Sequence, residues 1–407
     1  MSGDDLDGWE AEFVLAADRL DTPDVIEAAD PSDMLRQVAS AAAQVRTALR
    51  SCRETDLSGL APEVRPRAIV VVGMGSSGVA GDILGAVSGS GTPVQILTVQ
   101  TERLPGWVGA TDVVLAVSCS GTSTETLAIA TEAARRGCRL AGVGAEGSAL
   151  HRIAEQARAP FVPVVDAGLP RSMLWALTVP LLVMAERLGV VRIDPDVYEL
   201  SASRLEDVSH QCRPASESFV NPGKSLALDL AGSLPVIWGT SALSGVAARR
   251  FAGQLNENAK YPAISGVLPS AAHNQVAMFD GPFAPGAGAT AAGPEQGQNG
   301  PPDLATWDPE YDETGEDETN GPTSLRLVVI ADPDEDRLVG AQRAAVTELA
   351  GLRGIGVSEL SMDGEHPLVR LAGVVQLADY ASVYLAIASG IDPGQAAAIT
   401  DLKARIE

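Results

Sequence analysis

At 407 residues and a formal net charge of -24, the chain is long enough for two or three domains and carries the wrong sign for nucleic acid or an anionic membrane surface. Hydrophobic residues make up 45% of it but aromatics only 4%, so packing falls to small and aliphatic side chains. Cys52, Cys119, Cys138 and Cys212 show no metal-ligand spacing, no signal peptide precedes them, and no apolar run approaches about 20 residues, so the expectation is a reduced cytoplasmic protein without a membrane span.

Residues 1–60 read as helical: Phe13, Ala17 and Leu20, then Met34, Leu35, Val38, Val45 and Leu49, fall at helical spacing, with Pro23 and Pro31 breaking the pattern. A βα alternation follows. Strands are expected at Ala68–Val72, Val94–Val99, Val113–Val117, Leu140–Val143 and Phe161–Val165, with helices over Val79–Val87 and Leu127–Arg136. Short apolar runs separated by helices indicate a parallel sheet covered on both faces. An apolar helix over Met173–Leu188 and a helical linker over Asp194–Ser216 lead to a second α/β unit. Its strands are expected at Leu234–Trp238, Pro262–Ser265, Leu325–Ala331 and Val357–Leu360. Its helices run through Arg249, Arg250 and Gln254, over Asp336–Leu352, over Pro367–Ser389, and in a last turn at Asp401–Ile406. The expected organisation is a helical segment over 1–60, a first α/β subdomain over 61–192, a linker over 193–216 and a second subdomain over 217–407. Residues 281–323, rich in Gly, Pro and Ala and then in Asp and Glu, lack the aliphatic content to offset their ordering entropy, and read as a disordered acidic insertion.

The stretch Ser118-Cys119-Ser120-Gly121-Thr122-Ser123 lies between a strand and an Ala-rich helix. It gathers hydroxyls and free backbone N–H groups at the positive end of that helix, which suits a phosphate. No Walker lysine accompanies it, so a small phosphate monoester fits better than a nucleoside triphosphate. An earlier loop, Gly73-Met74-Gly75-Ser76-Ser77-Gly78, matches G-x-G-x-x-G, but Gln100 and Thr101 stand where a dinucleotide site needs an acidic residue. Taken alone it is equally a tight strand-to-helix turn or a ligand loop. Two such loops after strands of one sheet favour ligand binding at the carboxyl ends.

In the second half, Glu257 within Asn256-Glu257-Asn258-Ala259-Lys260 and His273 within His273-Asn274-Gln275 could form a general acid/base pair. Taken alone, the plainer reading is a helix-end carboxylate beside Lys260 and a capping histidine. Arg171, after Gly168-Leu169-Pro170, could present its guanidinium fork to an anionic oxygen or form a surface ion pair. Lys403 is a terminal-helix lysine that sequence physics does not single out, and His151, His210 and His366 read as structural or exposed.

Together these pieces resemble the bifunctional phosphoglucose/phosphomannose isomerases of the sugar isomerase (SIS) fold. The matching stretches are GMGSSGVAGDIL at 73–84, SCSGTSTETL at 118–127, GLPRSMLWAL at 168–177, VIWGTSALSGVAARRFAGQLNENAKYPA at 236–263, HNQ at 273–275 and YLAIASGIDPGQAAAITDLK at 384–403. The resemblance implies an α/β fold of two SIS-type subdomains, each a mainly parallel sheet flanked by helices. It implies that Ser77, Ser118, Ser120 and Ser123 hold a sugar phosphate, with Gly75 and Gly121 as backbone loop positions. It implies Glu257 as the base moving a proton between C1 and C2, His273 and Lys403 in ring opening, and Arg171 stabilising the enediolate. It also implies a homodimer in which the partner supplies the histidine, and no metal or redox cofactor. The chain departs from the family pattern at Ser76, Thr122, Ser123, Thr124, Gln275 and Gly394-Gln395. Gln275 for Glu removes a charge beside the imidazole, and Gly394 removes a threonine hydroxyl before Lys403.

The expected activity is interconversion of glucose 6-phosphate, and of mannose 6-phosphate, with fructose 6-phosphate. The alternatives are a non-catalytic SIS module that binds a sugar phosphate and regulates a partner, and an amino-sugar phosphate isomerase.

Overall fold

The computed structural model describes residues 17–61, 65–165, 168–285 and 323–406. The chain is α/β and holds two parallel sheets flanked by helices. The first comprises β1 (Ala68–Val72), β2 (Gln95–Val99), β3 (Val113–Ser118), β4 (Arg139–Ala145) and β5 (Phe161–Val164), in the order β2-β1-β3-β4-β5. The second comprises β6 (Ser233–Gly239), β7 (Ile264–Val267), β8 (Ser324–Ala331) and β9 (Gly356–Ser361), in the order β7-β6-β8-β9. Every strand pairing in both sheets is parallel. The central strands are β-branched or aliphatic and buried along their whole length, as a sheet covered on both faces requires.

Among the described residues, a helical stretch over 17–21 and the helices α1 (Pro23–Ala29), α2 (Met34–Ala39) and α3 (Ala41–Glu54) precede the first sheet. The helical pattern breaks at Thr22, and Pro23 starts α1, where its missing N–H falls in a first turn that has no intrahelical acceptor. Helices α4 (Ser76–Ser88), α5 (Thr124–Arg135), α6 (Ala149–Ala157) and α7 (Leu174–Arg187) accompany the first sheet. The linker is α8 (Pro195–Gln211), followed by α9 (Pro222–Leu230), α10 (Ala242–Gln254), α11 (Arg337–Leu352), α12 (Pro367–Ala388) and α13 (Ala397–Ile406). A single cluster of buried side chains runs from the N-terminal helices through α7 and α8 to α10 and α12 and joins the inner faces of both sheets.

Helix α12 is long and apolar enough to cross a membrane, but 94% of its most apolar window is buried inside the protein. It serves as a core helix, apolar all round because protein surrounds it. Most of the expected acidic insertion, residues 286–322, lies outside the described residues. Its first residues, 281–285, belong to the second unit: Ala284 is buried, and Leu325 N donates to the Phe283 carbonyl at 2.8 Å.

Candidate active site

Both hydroxyl loops leave the carboxyl ends of neighbouring strands, β1 and β3, at the point where the strand order reverses. Crevices of this kind hold the ligands of open parallel sheets. In the first loop Gly75 has φ +55°, a conformation that favours glycine, and precedes the first turn of α4, where Ser77 is buried and Ser76 half-buried. In the second, Gly121 has φ +67°, and a Cβ there would lie 2.0 Å from Ser148 Oγ. Ser118 is buried and accepts from Gly121 N at 3.1 Å. Ser120 is exposed, 2.9 Å from the Thr122 hydroxyl.

Ser123 caps α5, accepting from Thr126 N, and donates to Glu125 Oε2 at 2.8 Å. Bonds from its own backbone N–H and from Ser123 hold the Glu125 carboxyl below its ordinary range, and the Lys403 charge acts in the same direction. A carboxylate of the chain itself thus sits at the helix end where the sequence places a phosphate. Ser123 is engaged with it, and a phosphate there requires Glu125 to turn away. Lys403, exposed on α13, is brought near this loop by the fold.

Helix α10 widens after Gln254 into a π-turn over Leu255–Ala259, which carries Glu257 half-buried. Such turns are rare and cluster at functional sites. Arg171, on the turn Pro170–Ser172 before α7, is buried. Its Nε donates to Asn258 Oδ1 at 2.7 Å, and its Nη2 donates to the carbonyls of Pro393 and Gly394 at 2.5 and 2.8 Å. Nη1 has no partner among the described residues. Burial pushes the Arg171 guanidinium below its ordinary value, opposed by the charges of Glu257 and Asp392. Arg171 and Glu257 form no ion pair among the described residues, but Arg171 is tied to the π-turn that carries Glu257 through Asn258. Asn258, buried, passes the contact on to Ser382 Oγ at 2.9 Å.

Arg250 joins this cluster to the first loop. It is buried on α10, forms a bidentate pair with Asp379 of α12, and donates Nη1 to Ser76 Oγ at 3.0 Å and Nη2 to the Arg171 carbonyl at 2.6 Å. The sequence pattern gives no site role to Arg250, Asn258 or Asp379, and gives Lys260 only that of a neighbour of Glu257. A signal existed: Asp379 is one of two charged residues in an otherwise apolar 22-residue helix, and such a charge needs a partner. Lys260 Nζ donates to the carbonyls of Asn258 and Asp392 at 3.0 and 2.8 Å, and burial with the Arg171 charge lowers its pKa.

His273 is exposed on the short helix Ser270–His273 after β7 and makes no hydrogen bond among the described residues. The fold does not bring it against Glu257 by any contact. Gln275 does not face an imidazole: its Oε1 accepts from Trp238 Nε1 at 2.5 Å and its Nε2 donates to the Ser265 carbonyl. Gly394 is fixed by space, since a Cβ there would stand 2.0 Å from Ser32 Oγ. The other histidines do structural work: His151 stacks on Phe161 at 4.3 Å, and His366 caps α12. A cavity of about 620 Å³ lined by Ile26, Arg36, His210, Arg213 and Tyr380 shares no lining residue with either loop.

Residues 219–406 match the family described as Bacterial phospho-glucose isomerase C-terminal SIS domain. A bifunctional phosphoglucose/phosphomannose isomerase of Caldicellulosiruptor bescii is 24% identical over 340 residues, covering 83% of this chain and 89% of that protein. One from Aquifex aeolicus is 25% identical over 225 residues, covering 55% of this chain and 66% of that protein. Among solved structures, a glucose-6-phosphate isomerase of Chlamydia trachomatis superposes with a TM-score of 0.63 at 12% identity, covering 98% of this chain and 85% of that one, which shows a shared fold.

Proposed function

We propose that the chain, similar to bifunctional phosphoglucose/phosphomannose isomerases and matching a phospho-glucose isomerase SIS domain over its second half, interconverts glucose 6-phosphate and mannose 6-phosphate with fructose 6-phosphate through an enediolate. The observation that carries this reading is the buried guanidinium of Arg171 bonded to Asn258, the residue after Glu257 in the π-turn. An aldose–ketose shift needs a carboxylate to move a carbon-bound proton and a fixed cation for the oxyanion that forms.

In this reading Ser77, Ser118 and Ser120 hold the phosphate, joined by Ser123 once Glu125 turns away, and Gly75 and Gly121 let the backbone close around it. Glu257 takes the C2 proton of the open-chain aldose, the C1–C2 double bond forms, and the electron pair of the C1 carbonyl moves onto O1. Arg171 Nη1 is the donor left for that oxygen. The O2 proton passes to O1, the O2 electron pair forms the C2 carbonyl, and protonated Glu257 returns its proton to C1. Lys403, near the second loop, assists ring opening. His273, exposed in its own chain, acts in the site of a second copy, so the working form is a homodimer. The proposed location is the cytoplasm.

The test is turnover of both aldose phosphates and of fructose 6-phosphate by the purified full chain, beside Glu257→Gln. Loss of a general base lowers kcat by about 10²- to 10⁴-fold. Full activity in that variant removes Glu257 from the role of base. Phosphate binding without turnover by the unaltered chain makes it a regulatory sugar-phosphate module instead.

A further inference from the structure

We infer that Arg250 is a positioning residue that couples the first hydroxyl loop to Arg171. One guanidinium reaches three separate parts of the fold. Nη1 holds the Ser76 hydroxyl in the loop after β1, 174 residues away in sequence. Nη2 holds the main-chain carbonyl of Arg171 at 2.6 Å, and so fixes the backbone from which that side chain projects. Nε and Nη2 together grip Asp379 at 3.1 and 2.8 Å, which anchors the fork on the buried helix α12. Both members of the pair are at least nine-tenths buried. A buried ion pair of this kind adds little net stability over apolar packing, and its attested use is to fix one geometry. Arg250 is also five residues before the start of the π-turn, on the helix that runs into it. A shift of the fork therefore moves the loop hydroxyl, the Arg171 backbone and the lead-in to Glu257 together.

The planar fork matters more than the charge. A lysine offers one nitrogen and cannot hold Ser76, the Arg171 carbonyl and both Asp379 oxygens at once. Arg250 touches no reacting atom in this account, and its effect is exerted through Arg171 and the loop.

The inference rests on the isomerase reading for its kinetic arm and is independent of it for its structural arm. The experiment compares the full chain with Arg250→Lys, Ser76→Ala and the double variant. Measured are kcat and KM on fructose 6-phosphate, thermal midpoints, and amide hydrogen exchange at residues 73–78 and 171–173. Misplacement of a catalytic group by about 1 Å costs up to about 100-fold, so Arg250→Lys is expected to lower kcat about 10- to 100-fold with KM within about threefold. Ser76→Ala is expected to lower kcat less, and the double variant to be no worse than Arg250→Lys alone. Exchange is expected to quicken at both segments in Arg250→Lys and at residues 73–78 in Ser76→Ala. Unchanged exchange at both segments in Arg250→Lys, or losses that multiply in the double variant, overturns the coupling. Should Arg250→Lys fail to fold, unchanged exchange and kcat in Ser76→Ala overturn it. An unaltered chain that does not turn over fructose 6-phosphate sinks the isomerase reading, and the exchange results then decide the strut by themselves.

Discussion

The crevice between β1 and β3 and the crevice between β6 and β8 hold the same place in their sheets, yet their loops are used in opposite ways. In the first, Ser120 and Thr122 are exposed, Glu125 accepts from Ser123, Arg250 holds Ser76, and the Lys403 charge on a separate helix acts on Glu125. In the second, every hydroxyl is engaged inside the protein. Ser244 Oγ accepts from the backbone N–H groups of Thr240 and Ser241 at 2.7 and 2.8 Å, and Ser241 Oγ donates to Asp332 Oδ2 at 2.6 Å. Asp332 N donates to Thr240 Oγ1, and the buried Arg370 stands 3.3 Å from Asp332. An internal carboxylate and arginine occupy the ground where a ligand anion would sit. Topology supplies two equivalent crevices, each with a carboxylate of the chain at its helix end: Glu125 in the first is exposed and can turn away, whereas Asp332 in the second is buried and paired with Arg370.

Asp332→Ala has the largest expected effect. It removes the buried one of the two carboxylates that pair with the buried Arg370, leaving only the exposed Asp334, and is expected to cost about 3–5 kcal/mol of stability by urea denaturation. Stabilisation by inorganic phosphate should persist in whatever fraction folds. If it disappears with Asp332, the second crevice is an anion site and the contrast fails. Gly121→Ala strikes the first crevice. A Cβ at φ +67° and 2.0 Å from Ser148 Oγ is expected to cost about 1–3 kcal/mol and to abolish the response to phosphate as well. Retention of that response would separate phosphate binding from the loop after β3.

Glu125→Gln sharpens the picture in the favourable direction. The variant removes a negative charge from the N-terminus of α5, where one charge counts for about 0.3–1 kcal/mol, so phosphate is expected to bind up to about fivefold more tightly in calorimetry. Weaker binding would mean that Glu125 supports the site rather than competing for it. The smallest effect concerns pH. Burial, with the Arg370 charge, depresses the His366 pKa, and Nδ1 accepts from Leu368 N at 3.1 Å. A base with a lowered folded pKa is protonated first in the unfolded chain. Stability from this group is therefore complete above the ordinary histidine pKa of about 6.5 and falls as pH drops below it. Melting points between pH 7.5 and 5.5 should fall less in His366→Asn, which keeps the cap without titrating. An identical fall in both proteins would assign that pH dependence elsewhere.

The element pattern was legible because it is local. Ala68–Val72 and Val113–Ser118 are buried apolar runs, and Pro367–Ala388 is apolar over six turns, so burial alone selects their structure. The hydroxyl loops were legible because glycine, serine and threonine between strand and helix serve few purposes. The sequence resemblance carried Glu257, Arg171 and Lys403, which local pattern did not distinguish from ordinary surface charges. Several features had no local signal. Nothing near Gln275 points to Trp238, 37 residues away, and nothing near Gly394 points to Ser32. Nothing near Arg250 marks it as a partner of both Ser76 and Asp379, 174 and 129 residues distant.

What the sequence determined by itself is therefore the alternation of strands and helices, the two-sheet class, and the pair of hydroxyl turns, since each depends on side-chain spacing within a dozen residues. The tertiary structure alone decided how the carboxylate of each crevice is held, how Arg171 is tied to the π-turn that carries Glu257, and that one buried guanidinium ties the first loop to the second half. Those outcomes depend on polar and charged groups meeting across long stretches of chain, where solvation and hydrogen-bond geometry, rather than order along the backbone, select the partners.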